Sequence, residues 1–502
     1  MTHPHAIGHA GIAHCNAGRR ILGIALLESA ASHDASNNFW LAQACEQSAL
    51  LFDESRRPPA FGEKEQIIWP VWVESALSSL ERLVVLRSDD VHTLLLAGRF
   101  FKATGRYRRA ADRASDILLH HPDHLAAHLL AAESLDNLRE FDAAETHYQA
   151  ALKLAPEDPM TQWLYAMRQL ASGRFEDGWR GYDARHDAFG WGTASFPFTH
   201  TRWQGEDLTG KTLLVHGEQG LGDEIMFASI IPEIIEEGSN VIVAASPTLA
   251  DLFERSFGDA TVIIHDRSPE SVAAWEKNPH DPGWCRDHKI DYQCPIGSLA
   301  RWRRRHPSDF HGTTYLKADS EQSSIFKDRL LDAESTRDWK PVGDAAHPLR
   351  VGLNLTANLA TGLMGYQKSV PFKLFEPVFD ELADSTHFIS LHLSRMPAVR
   401  DHSGNALLTD ISSMLVSLDA TAALMDSLDV IVTTDTSVAH LAGGLGKPCI
   451  VLLKFNADWR YLDEGDRCIW YDSMLLVRQT RPEHWNDVVE EVIQLLKHHH
   501  CE

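Results

Sequence analysis

The sequence predicts a multidomain chain: an all-α repeat solenoid over residues 38–190, then an α/β region built as two Rossmann-like halves over 200–340 and 341–496. Two observations predict it. In the first part the same punctuation returns every 34 residues. In the second, short apolar runs of strand character alternate with helical stretches, and two of those runs end in polar loops that open a helix.

The repeat is read from Gly105-Arg106-Tyr107, Arg139-Glu140-Phe141 and Gly173-Arg174-Phe175, each set 34 positions after the last. The same offset carries Ala110 onto Ala144 and Gly178, Ala114 onto Tyr148 and Tyr182, and Pro122 onto Pro156. This is the tetratricopeptide period, in which each unit is two antiparallel helices. Small residues such as Ala97, Gly98, Ala131 and Ala132 let the helices approach closely, the aromatic at the turn packs the pair, and Pro122 and Pro156 end the second helices. A poorer earlier unit runs through Ala76, Leu80 and Leu83, with a further helix at Asn38–Phe52, for three to four units in all. The consensus positions are packing residues. The groove of the stack is where a peptide or protein would lie, and self-association into a homo-oligomer is equally compatible. Residues 1–37, rich in Ala, Gly and His, carry no clear period and are left as a leader of open structure.

Composition narrows the function. The chain has 502 residues, 47 Lys and Arg against 70 Asp and Glu, and a formal charge of −23, which disfavours nucleic acid as a partner. An anionic ligand would need a local positive pocket. The seven cysteines, Cys15, Cys45, Cys285, Cys294, Cys449, Cys468 and Cys501, are odd in number and widely spaced, which suits a reducing cytoplasm. The 28 histidines lack metal-ligand spacing, and the reading is metal-independent. The apolar stretch Ile21–Leu27 is too short to span a bilayer, so neither membrane insertion nor an export signal is expected.

In the α/β region the runs Thr212–His216, Val241–Ala245, Thr261–Ile264, Val351–Leu355, Phe388–Leu391, Val430–Thr433 and Ile450–Leu453 read as buried parallel strands. The polar, acidic stretch between Tyr315 and Val351 reads as the connection between the halves, with the cleft between them. The first strand runs into Gly217-Glu218-Gln219-Gly220-Leu221-Gly222-Asp223-Glu224 and then an apolar helix. Gln219, Gly220 and Gly222 form a strand-end loop that a substrate can approach, and Asp223 either caps the helix or deprotonates an acceptor. The glycine spacing differs from the dinucleotide G-x-G-x-x-G pattern, no acidic ribose partner follows, and no Walker loop is present, so no cofactor is expected.

The second half carries Thr434-Asp435-Thr436-Ser437-Val438-Ala439-His440-Leu441 at the end of a buried strand. The amides of a helix N-terminus with the Thr436 and Ser437 hydroxyls make a cradle for phosphate. His440 either donates to a phosphate oxygen or is a buried structural ring. Lys368 either brings a positive charge to the same phosphate or is a surface lysine.

These motifs, together with Gly205–Lys211, Asp458-Trp459-Arg460-Tyr461-Leu462 and the Trp470–Met474 and Arg478-Gln479 segments, resemble bacterial tetratricopeptide-repeat proteins whose glycosyltransferase domain is related to the lipopolysaccharide heptosyltransferases. The resemblance covers nearly Phe39 to Leu496. It implies a GT-B fold, a nucleotide-sugar donor as substrate, an inverting outcome, Asp223 as the base, and Asp435, Thr436, Ser437 and His440 at the donor phosphate. The chain departs from the group at Asn354–Gly365, and Lys368 stands where an arginine is common.

The resulting expectation is a cytoplasmic glycosyltransferase that O-glycosylates Ser or Thr of a protein, such as a flagellin-like subunit, recruited by the repeat groove. The alternatives are a non-catalytic repeat scaffold or chaperone with a degenerate transferase domain, and a transferase acting on a surface or lipid-linked glycan.

Overall fold

The computed structural model describes residues 87–189, 198–268, 282–335, 347–358, 363–393, 399–400 and 406–499, with isolated residues between 7 and 85 and residues 271 and 339. It divides into two compact units, Met1–Tyr165 with Asn358–Tyr366, and Ala166–Ala357 with Gln367–Glu502. The sequence readings for residues 1–37, for Asn38–Phe52 and for Ala76 fall outside the described residues apart from isolated positions.

In the first unit, helices α1 (Val91–Ala103), α2 (Tyr107–His120), α3 (Leu125–Asn137) and α4 (Phe141–Leu154) form two hairpins; α5 (Pro159–Ala171) begins there, and α6 (Phe175–Tyr182) follows it in sequence. First helices start at Val91, Leu125 and Pro159 and second helices at Tyr107, Phe141 and Phe175, a spacing of 34 throughout. The described helices are therefore tetratricopeptide hairpins in period as well as in pattern. The caps repeat too. Asp90 Oδ2 accepts from the Thr93 amide at 2.9 Å and Asp158 Oδ2 from the Thr161 amide at 2.8 Å, while His124 does the same work less well, accepting from Ala127 at 3.3 Å. At the hairpin turns Gly105, Arg139 and Gly173 all take positive φ, +77°, +61° and +76°. Gly98 permits the close helix approach: a Cβ there would lie 2.4 Å from Leu130 Cδ2. Leu80 and Leu83 are buried in the same core as Phe100, Phe101, Ile117, Leu130 and Tyr148.

The α5 helix crosses the division between the units, and α6 belongs to the second. There Leu170, Phe175, Trp179 and Tyr182 lie in one core with residues of both α/β halves. The first half is a four-stranded parallel sheet of β1 (Thr212–His216), β2 (Asn240–Ala245), β3 (Thr261–Ile264) and β4 (Tyr292–Pro295), ordered β3-β2-β1-β4. The second is a six-stranded parallel sheet of β5 (Leu349–Asn354), β6 (Thr386–Ser390), β7 (Leu408–Thr409), β8 (Val430–Thr434), β9 (Cys449–Leu453) and β10 (Met474–Arg478), ordered β10-β9-β8-β5-β6-β7. Counted within that half, this is the doubly wound order 3-2-1-4-5-6 reversed end for end, with its switch point between β5 and β8.

The polar stretch after Tyr315 holds a 15-residue helix, Ser320–Glu334, capped by Asp319. It packs against the helix Leu418–Asp426 of the second half, and Arg350 of β5 grips Glu334 with Nε 2.7 Å and Nη2 2.8 Å from the carboxylate. The tail of the stretch, residues 341–346, lies outside the described residues.

Arg139 is a side-chain-bearing residue in a backbone conformation that its counterparts meet with glycine. Arg139→Gly is expected to raise the unfolding free energy of the repeat unit by about 1 kcal/mol, the order of the left-handed penalty. Urea unfolding followed by circular dichroism checks it; a destabilised variant would show that the stacking of Arg139 on Phe141, 5.2 Å from the ring centre, outweighs the backbone term.

Candidate functional site

The helices that follow β1 and β8 meet. The helix α7 (Leu221–Ala228), which follows the β1 loop, packs against α8 (Ser437–Gly444), which follows β8. At their contact a Cβ on Gly222 would lie 3.0 Å from His440 Cδ2 and 3.4 Å from Ser437 Cα, so glycine is what lets the first loop touch the second. The structure thus brings Gln219, Gly220, Gly222 and Asp223 together with Asp435, Thr436, Ser437 and His440, as strand-end topology would place them.

The β1 loop is gripped from behind. Glu218, 1% exposed, receives Arg185 Nε at 2.9 Å and Nη2 at 2.5 Å, and the Gly297 amide at 2.8 Å. Tyr182 donates its hydroxyl to Gln219 Oε1 at 3.2 Å, and Gln219 itself takes φ of +55°. Such a fully desolvated carboxylate is tolerable only with this set of charged and neutral donors. Next along, Asp223 both caps and pairs: its Oδ2 accepts from the Gly220 amide at 3.0 Å, and its Oδ1 is bound by Arg460 Nη2. Arg460 also holds Asp458, which starts the 3₁₀ turn Trp459–Tyr461.

In the second half, Thr436 occupies the N-cap of α8 in extended backbone, and its hydroxyl receives the Asn354 amide at 3.0 Å. Asn354, at the end of β5, also reaches Thr433 Oγ1 at 3.2 Å, so the residue that departs from the resembled pattern stitches the switch point together. Lys368 is half-buried: its Nζ lies 2.5 Å from Asp435 Oδ2, and Tyr461 donates to Asp435 Oδ1 at 3.1 Å. The Asp435 carboxyl is drawn down to about 2 chiefly by Lys368, against the opposing effect of burial, and so stays ionised. His440 is buried with Nδ1 3.1 Å from the Tyr471 hydroxyl. Burial, helped by the Arg460 charge, lowers it to about 4, so the ring is neutral near pH 7. Asp435 therefore holds Lys368, and the amides and hydroxyls at the start of α8 are the groups suited to accept an anion.

Sequence pattern gives no role to Arg460, Tyr461 or Asn354. Arg460 and Tyr461 lie in a short turn with no periodic signal; the Asp-Trp-Arg-Tyr run itself, dense in polar and aromatic types, was the only cue. Among the described residues, no group of three or more His, Cys, Asp or Glu is placed to hold a metal ion, and no helix is long and apolar enough to cross a membrane.

Comparison with known proteins gives a distant relative. Protein FlbA of Caulobacter vibrioides is 28% identical over 365 residues, covering 70% of this chain and 58% of that protein, so the match spans little over half of the relative's length. No protein-family model matches the chain. Similar solved structures include MamA from Desulfovibrio magneticus RS-1, 14% identical with a TM-score of 0.29 over 38% of this chain and 94% of that one. A tetratricopeptide-repeat protein from Parabacteroides merdae is 13% identical with a TM-score of 0.30, over 37% of this chain and 66% of that one.

Burial also holds His216 near 3, His265 near 4 and His186 near 2, well below the ordinary histidine value of 6.5. Unfolding exposes these rings to water, where they take up protons below about pH 6.5, while the folded rings stay neutral to about pH 4. Stability is therefore expected to fall by a few kcal/mol between pH 7 and pH 5, measured by urea unfolding at each pH. Unchanged stability across that window would show that the rings are hydrated in the fold.

Proposed function

We propose that the chain is a glycosyltransferase of GT-B type that moves a sugar from a nucleotide-sugar donor to a Ser or Thr hydroxyl of a protein, such as a flagellin-like subunit, recruited through the repeat groove. The observation that carries this reading is the meeting of two strand-end loops from two parallel sheets, with Gly222 seated against Ser437 and His440 and a carboxylate, Asp223, at the junction. An α/β sheet binds ligands at the carboxyl ends of its strands, where both loops lie. One loop offers a carboxylate for the acceptor and the other offers helix amides for the leaving group.

In the transfer, the acceptor oxygen forms a bond to the anomeric carbon as the bond from that carbon to the phosphate oxygen breaks. The electron pair leaves with the nucleotide diphosphate, and the hydroxyl proton goes to the Asp223 carboxylate. The charge that grows on the leaving phosphate would meet the Ser437 and Val438 amides, the Thr436 and Ser437 hydroxyls, and the Lys368 ammonium. His440, neutral and hydrogen-bonded to Tyr471, would act by shape and hydrogen bonding rather than by charge.

A second reading, a repeat scaffold with a transferase-like body that does not turn over, is favoured by one feature: Lys368 and Arg460 are already paired with carboxylates.

Calorimetric titration of the full chain with nucleotides and nucleotide sugars separates the two. The transferase reading expects one nucleotide diphosphate to bind, Lys368→Ala to weaken it by about tenfold, and Asp223→Asn to keep binding while losing transfer. Binding of no nucleotide by the wild-type chain would put the scaffold reading in its place.

A further inference from the structure

Three carboxylates and two cations meet at the junction. Asp223 comes from the first half, Asp435 and Asp458 from the second, and against them stand Lys368 and Arg460. With His440 neutral, these five side chains carry a net charge of −1, the difference between three anions and two cations. An anion arriving at the start of α8 meets a site whose positive charges are already spent on its own carboxylates. It can bind strongly only if a cation changes partner.

Arg460 is placed for that exchange. It is 13% exposed, and its guanidinium lies over the Trp459 ring with Cζ 4.7 Å from the ring centre, a stack that keeps the plane of the group fixed. Asp458 sits two residues away, and its Oδ1 also accepts from the Arg460 amide at 3.3 Å, so this partner belongs to the same turn and travels with the arginine. Asp223 is the remote partner, reached across the junction. The Arg460 charge acts on Asp435 and on His440, the residues flanking the start of α8. A guanidinium binds phosphate in the same bidentate geometry with which it binds carboxylate.

We propose that Arg460 is a charge-exchange latch: with the site empty it holds Asp223, and a diphosphate at the start of α8 takes the guanidinium and leaves the Asp223 carboxylate free to accept a proton. This rests on the donor-site reading above and adds an order to it. The base becomes available only after the donor is in place, so the acceptor hydroxyl is not activated in an empty site. Asp458 keeps Arg460 at the junction throughout, so Arg460 binds the diphosphate directly and frees Asp223 by leaving it.

The latch makes Asp223 a competitor of the diphosphate for one cation. Titration of the full chain with inorganic pyrophosphate, by calorimetry at constant pH and salt, tests it. Asp223→Asn keeps the shape of the side chain and an oxygen for the Gly220 amide, and is expected to tighten pyrophosphate by about tenfold. Arg460→Gln is expected to weaken it, Arg460→Lys to restore part of the loss, and Asp223→Asn to give no gain in the Arg460→Gln background. Pyrophosphate affinity unchanged or weakened by Asp223→Asn, with wild type binding normally, overturns the latch and leaves the donor site standing. Binding by neither wild type nor Asp223→Asn overturns the latch and the donor site together. Because Asp223→Asn alone carries the decisive comparison, the outcome does not depend on whether Arg460→Gln folds.

Discussion

The candidate site depends on an aromatic wedge. Trp179, 1% exposed on α6, meets Trp459 edge-on at 5.4 Å, Phe227 at 6.1 Å and Trp470 at 6.5 Å between ring centres, and donates its indole N–H to the Arg304 carbonyl at 2.6 Å. Phe227 and Arg304 belong to the first half, Trp459 and Trp470 to the second. One helix thus fills the space between two sheets with large rings whose burial and edge-to-face packing are each worth of the order of 1 kcal/mol or more. Behind the wedge, Arg168 pairs with Asp463, and Asp463 donates its amide to the Ala171 carbonyl at 2.9 Å. Trp459 lies in this packing and Arg460 follows it, so the position of the guanidinium at the junction is a consequence of how the helix is seated.

Electrostatics then build on that packing. Taking Arg185, Glu218, Arg460 and Asp435 out of water is costly, and each is compensated by direct charge partners and hydrogen bonds within the fold. Pairs of this kind contribute little net stability but hold geometry, because breaking one leaves an uncompensated buried charge. The same property makes the junction responsive. A ligand of the right charge can substitute for one partner of a buried pair at a small net cost, where it could not create a new charged contact in an apolar wall.

Much of this architecture was legible from residue pattern. The spacing of Gly105, Arg139 and Gly173 marked the hairpin turns because a left-handed residue is needed there at every period. Every apolar run read as a strand is one, since parallel strands are nearly continuous in Val, Ile and Leu, although β3, read as buried, is an edge strand with Thr261 and Ile264 exposed. Strand β4, Tyr-Gln-Cys-Pro, and the two-residue β7 escaped because they are short and mixed in polarity, and β10, Met-Leu-Leu-Val-Arg, escaped as well although it is apolar. The helix Ser320–Glu334 escaped because its buried residues are few and its exposed face is acidic and serine-rich, which reads as a connection. The seating of α6 among the α/β residues was hidden for a different reason: Phe175, Trp179 and Tyr182 satisfy the repeat pattern, and a repeat pattern does not say which neighbour buries it. Of the site, the two loops were visible as motifs. The ion pairs that join them are tertiary, and no local spacing encodes an Asp223–Arg460 contact across 237 residues.

The most direct test of a junction built to receive an anionic nucleotide is hydrogen exchange of the full chain, followed by mass spectrometry, with and without a saturating nucleoside diphosphate. The account predicts slowed exchange together in three places, residues 217–224, 435–440 and 456–462, because one ligand would bind the second loop while changing the partner of the first. Protection confined to the repeat helices, or none in any of the three segments, would contradict it.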